Sequence, residues 1–225
     1  MKQNRNTVEK ELGKLILYAL LNADQYYSQK AMMLLRNMRV SGYIVVSRFH
    51  RDELPFCGLA CSIGLGGLGI IFIDKEFLGN PAVPEELKDF VLAHEIAHIV
   101  RGHILSKIML RFLTETYIQA LSESIRSLEK AKDVIDALFN VIITIFLFGV
   151  TLKLVGEVDP QRVKQEELEA DEIAIKLTGC KGALIFAKML EQLRLQGYNV
   201  SHESMLGFPA LTIDERIKFI QYKCR

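Results

Sequence analysis

The chain has 225 residues, half of them hydrophobic and 24% charged, enough to bury one sizeable core or a core with a helical appendage. Its 28 basic and 27 acidic residues leave a formal charge of +1, and no basic block stands out, so nucleic acid is excluded as an expected partner. Cys57, Cys61, Cys180 and Cys224 are too few and too scattered for a disulfide framework and are expected as free buried thiols in a reducing compartment.

The opening stretch carries acidic residues and has no small-residue cleavage site, so it does not read as a signal peptide, and a cytoplasmic, non-secreted protein is expected. From Thr7 to Met38, apolar residues recur at three- and four-residue spacing without proline, which predicts a helix. Gly42 leads into a short strand at Tyr43–Val46, and Leu59-Ala-Cys-Ser62 is a weaker strand. Glycines at 64, 66, 67 and 69 precede Ile70-Ile-Phe-Ile73, a buried strand. Pro81 and Pro84 announce a helix with Glu85 and Glu86 at its N-terminal dipole. Further helices are expected over Ile104–Asp136, Lys164–Leu177 and Gly182–Gln196, and a last one opens at Thr212-Ile-Asp-Glu215 with capping-box spacing.

Between Phe90 and Val100 only His94, Glu95 and His98 are not apolar. A helix so apolar is buried on most sides, and three buried polar groups are costly unless something compensates. His94 and His98 lie one turn apart on one face, so both imidazoles can bind a single cation. Glu95 sits where it can take a proton from a metal-activated water, the logic of the HExxH motif. Catalytic zinc usually takes a third protein ligand. His103 does not fall where a three-histidine stretch needs it, so a carboxylate on a second helix is the usual alternative. Glu167 and Asp171 share a helical face. The first could bind zinc while the second accepts the outer N–H of a ligand histidine; by periodicity alone the same residues form a solvated acidic face.

His94-Glu-Ile-Ala-His98, Gly102-His103 and Glu167-Leu-Glu-Ala-Asp171 together resemble the HtpX and CAAX prenyl protease family of gluzincin peptidases. The resemblance runs from about Tyr43 to Ile217. It implies Glu167 as the third zinc ligand and Asp171 behind a ligand histidine. It also implies a substrate-pairing edge strand at Leu59, Ala60, Cys61 and Ser62, although the asparagine often found there is absent. Near the C-terminus the family often shows His-Pro before an Arg-Ile pair; this chain has Phe208-Pro209 and then Arg216-Ile217. Phe208 cannot stabilise an oxyanion, so His202 or Tyr198 is the candidate substitute, and Arg216 is a candidate structural ion-pair partner.

Residues 137–155 form a largely apolar run whose one charge is Lys153. A single crossing there would separate His94 and His98 from Glu167 across a bilayer. The segment is therefore expected as a buried core helix first, then as a membrane-surface helix or a self-association contact. The expected fold is α+β and predominantly helical: residues 1–40 as an N-terminal helical region, then a zincin-like unit over 41–225 with a small early sheet, an HExxH helix and a second ligand-bearing helix. The expected function is a zinc metalloendopeptidase acting on peptides or proteins through one zinc ion. A non-catalytic, zinc-stabilised scaffold is the alternative.

Overall fold

The helix expected from Thr7 to Met38 breaks at Asp24. The computed structural model describes residues 13–54, 57–103, 160–203 and 209–225, with isolated positions at 122, 142, 145 and 146. Residues 13–21 form α1 and Gln25–Asn37 form α2. Asp24 caps α2 by accepting from Tyr27 N at 3.1 Å, while its own N–H donates to Val46 O and its second carboxylate oxygen takes Arg48 Nε at 2.6 Å. An aspartate that satisfies a helix terminus and a neighbouring strand together favours a break over continued helix.

Strands β1 (Tyr43–Phe49), β2 (Ala60–Leu65) and β3 (Leu68–Asp74) make a sheet in the order β1-β3-β2. β1 is parallel to β3, and β2 is antiparallel to it. The β2–β3 hairpin turns through Gly66 and Gly67, at φ 60° and 94°, the two-positive-φ turn whose twist suits paired strands. Helix α3 (Lys75–Gly79) follows, capped by Asp74, and then α4 (Glu85–Arg101), which ends where Gly102 turns left-handed at φ 72°.

In α4 every residue from Leu87 to Ile99 except Asp89 is buried. The space around this helix is set by glycines. A Cβ on Gly64 would lie 3.0 Å from Ile99 Cγ2, and one on Gly69 would lie 2.8 Å from Ile99 Cδ1. On the opposite flank, a Cβ on Gly182 would lie 2.0 Å from Glu86 O, so only glycine allows that approach. Ile44, Val46, Ile71 and Ile73 from the sheet, Leu92, Ile96 and Ile99 from α4, and Tyr27, Ala31 and Leu35 from α2 share one core.

Pro160–Thr178 form α5. Helix α6 spans Cys180–Leu195 and α7 spans Ile213–Lys223, the latter with the complete Thr212–Glu215 capping box. Between them lies an unforeseen hairpin of β4 (Val200–Glu203) and β5 (Pro209–Thr212). These strands have four residues each and no apolar alternation for a pattern to detect. The architecture is α+β and mostly helical.

The expectation of free thiols is overturned. Cys57 pairs with Cys61 and Cys180 with Cys224, with Cα separations of 5.0 and 5.5 Å, and among the described residues no cysteine is unpaired. Sequence spacing could not foresee the second pair, because α6 and the end of α7 meet only through the fold. Most of 137–155 lies outside the described residues. Its described positions, Ile142, Ile145 and Phe146, are helical and exposed by 56, 55 and 67%, so burial within this chain is not found there. Among the described residues no helix is long and apolar enough to cross a membrane.

Candidate active site

Helix α4 supplies His94, Glu95 and His98, and α5 supplies Glu167 and Asp171. Each helix places its pair of residues four apart, on the face turned toward the other. His94 Nε2 and His98 Nε2 are 3.0 Å apart, and each lies 3.4 Å from an oxygen of Glu167. All three side chains are buried, and among the described residues they form the one His/Cys/Asp/Glu cluster whose ligand atoms converge as a metal would require. Tetrahedral zinc with nitrogen at about 2.0–2.1 Å sets its donors roughly 3.3 Å apart. The observed spacings fit that geometry.

The outer nitrogens determine what the inner ones can do. His94 Nδ1 lies 2.9 Å from Asp171 Oδ1; a carboxylate only accepts, so Nδ1 carries a hydrogen, and in the neutral imidazole that a metal requires Nε2 presents a lone pair. His98 Nδ1 lies 3.0 Å from His103 Nδ1, and His103 Nε2 lies 3.5 Å from Glu169. If His103 gives its Nε2 hydrogen to Glu169, its Nδ1 accepts from His98, and His98 Nε2 is left as a lone pair too. Two lone pairs and a carboxylate facing one another are a cation's environment. Burial opposes protonation of His94, but Asp171 and Glu167 outweigh it and raise the imidazole to about 9. The pocket thus attracts positive charge.

Arg216, on α7, anchors the second helix. Its Nε and one terminal nitrogen each donate to Asp171 at 2.8 Å, another donates to Ser201 Oγ at 3.2 Å, and the guanidinium lies 4.8 Å from the Phe186 ring centroid. Burial works against this charge, yet Asp171, Glu167 and Glu95 hold its pKa above the ordinary arginine value. Burial likewise disfavours the Asp171 carboxylate, and Arg216 and His94 pull its pKa below the usual range. The ion pair expected for Arg216 is therefore present, with Asp171 as its partner.

A cleft of about 490 Å³ opens over these groups. Glu95 lines it beside His94 and His98, and the hydroxyl of Ser62 donates to Glu95 Oε2 at 2.6 Å. Leu59, Ala60, Cys61 and Ser62 form another wall, and β2 is an edge strand of its sheet. Tyr198, one of the two expected oxyanion partners, is 61% exposed and is not part of the cleft wall. His202 lies on β4 opposite Leu211, next to Ser201, which does line the cleft; the His202 side chain and Phe208 lie outside the described residues. In the sequence His103 and Glu169 stand inside the motifs of the resemblance but carry no role of their own; the left-handed Gly102 takes His103 out of the phase of α4. The cleft-lining Phe90, Phe186 and Ser201 carried no signal that sets them apart from core or loop residues.

A family model for peptidase family M48 matches residues 60–219, which take in His94, Glu95, His98, Glu167, Asp171 and Arg216. The chain belongs to peptidase family M48. M48 proteins are metallopeptidases and generally use zinc, which agrees with the donor set here. No match is found among curated proteins or among solved structures.

Proposed function

We propose that this M48 protein is a zinc metalloendopeptidase of the HtpX and CAAX prenyl protease type, hydrolysing peptide bonds in peptide or protein substrates. The observation that carries the reading is the convergence of two imidazole lone pairs and the Glu167 carboxylate in a cleft walled by Glu95. Zinc held by His94, His98 and Glu167 would supply a polarised substrate carbonyl and a water acidified toward neutrality. Glu95 receives the proton of the attacking water and delivers it to the leaving amine. Asp171 and Arg216 keep His94 in its tautomer, while His103 and Glu169 do the same for His98. The open edge of β2 pairs with an extended substrate backbone, which brings the scissile bond under the metal site. His202 is the proposed oxyanion partner in place of the family histidine.

The test is metal content together with cleavage of an unstructured protein, with and without a chelator, for the wild type and Glu95→Gln. The expected result is one zinc in both proteins and cleavage only in zinc-loaded wild type. Zinc binding by a wild type that cleaves nothing would favour the scaffold reading, and undiminished cleavage by Glu95→Gln would remove Glu95 from the mechanism.

Ile142, Ile145 and Phe146 share one helical face and are exposed, which supports a surface role for 137–155 at a membrane or at a second copy of the chain. Carbonate-washed membranes test the surface assignment against a spanning segment: a peripheral protein leaves the pellet, whereas retention there contradicts the assignment.

A further inference from the structure

We propose that Ser62 is a positioning residue for the general base, fixing the Glu95 carboxylate relative to the strand that receives the substrate; this rests on the peptidase reading of the site. Ala60, Ser62 and Gly64 alternate on β2, all small, and Gly64 packs against Ile99. Ile99 lies one turn beyond Glu95 on the same face of α4. Strand and helix therefore run side by side in matched steps, Gly64 meeting Ile99 and Ser62 meeting Glu95. At Gly64 the approach leaves no room for a side chain. Serine alone among the three small residues brings a hydroxyl, and it is the one residue of β2 that is buried.

That hydroxyl has a single hydrogen and two acceptors near it, Glu95 Oε2 at 2.6 Å and Glu95 O at 3.3 Å. The shorter contact has the length of a hydroxyl donating to a charged carboxylate. A carboxylate on a flexible two-carbon stem otherwise samples several orientations, and a misplacement of about 1 Å can cost on the order of 100-fold in rate. Holding one oxygen from the neighbouring strand sets the plane of the carboxylate. Because Ser62 also belongs to the edge that is to pair with substrate, one residue references the base to the peptide it acts upon.

Ser62→Ala and Ser62→Thr, compared with wild type and Glu95→Gln, test this. The expected result for alanine is a kcat lower by about 10- to 100-fold with KM altered less than about twofold, and rescue to near wild type by threonine, which restores the hydroxyl. Zinc content and the melting temperature of the metal-free proteins should stay at wild-type values in both variants. A crystal structure of Ser62→Ala should show the Glu95 carboxylate displaced. Wild-type kcat in Ser62→Ala with Glu95→Gln inactive overturns the role of Ser62 and leaves the peptidase reading intact. Equal losses in alanine and threonine variants with lowered melting temperatures make Ser62 a packing residue and overturn it too. An undisplaced Glu95 in the alanine structure overturns it whatever the turnover, whereas full activity of Glu95→Gln takes the general-base role away from Glu95, the part of the peptidase reading on which the proposal rests.

Discussion

Replacing Arg216 by methionine removes a buried cation while keeping most of its volume. In the native protein Arg216 and Asp171 are 6% and 0% exposed, joined by two bonds of 2.8 Å. Without the guanidinium, Asp171 keeps His94 but loses its nearest positive charge while remaining fully buried. Breaking one side of a buried ion pair costs about 3–5 kcal/mol, a large share of the roughly 5–15 kcal/mol that holds a typical protein folded. For a chain of this size about 1 kcal/mol moves the melting temperature by roughly 2–4 °C, so a fall on the order of 10 °C is expected. Calorimetry on the metal-free protein reads this directly, since bound metal would add its own stabilisation. Arg216→Lys should fall between, keeping charge but losing the paired donors. Asp171→Leu combined with Arg216→Met should recover part of the loss, because the Asp171 carboxylate is then no longer stranded, while His94 Nδ1 loses its acceptor. A single Arg216→Met variant that melts within about 2 °C of wild type, a shift worth only ~1 kcal/mol, would refute the reasoning.

Glu167→Ala should release most of the zinc, read by metal analysis after dialysis; full occupancy would refute its role as a ligand. His103→Phe keeps a buried ring but leaves His98 Nδ1 without its acceptor, and zinc affinity should fall about 10- to 100-fold in competition with a chelator. Glu215 bonds Lys164 and caps Thr212, which lowers its carboxyl from 4.5 to about 2. Its stabilisation is therefore complete above about pH 4.5 and is lost as the pH falls toward 2. The gap in melting temperature between wild type and Glu215→Gln should be modest, since the side chain is 44% exposed, level above pH 5 and shrinking below it. A gap that widens on acidification would contradict the assignment.

What could be read from the sequence follows physical range. The α4 helix was legible because burial and charge conflict within eleven residues: only a shared task explains two histidines and a glutamate in so apolar a run. The Thr212–Glu215 cap was legible for the same reason, being local chemistry. Glu167 and Asp171 were legible as a helical face, but only a family resemblance separated a ligand pair from a solvated pair. Three features were hidden because the groups involved meet only in space. Asp24 interrupts a good helical pattern by bonding β1, Cys180 finds Cys224 through the packing of α6 on α7, and His103 returns to His98 through a left-handed residue. The β4–β5 hairpin was hidden for another reason: four-residue strands give a period of two almost nothing to repeat.

The missing side chains at Gly64, Gly69 and Gly182 have a consequence for how this site can vary. They let the sheet close on the Ile99 side chain and α6 meet the backbone of the HExxH helix at Glu86, so it is held from both flanks. Two metal ligands and the proposed base consequently travel as a single rigid block. Adaptation to new substrates is then confined to whatever borders that block, the strand rim and the aromatic wall, while the core of the machinery stays where it is.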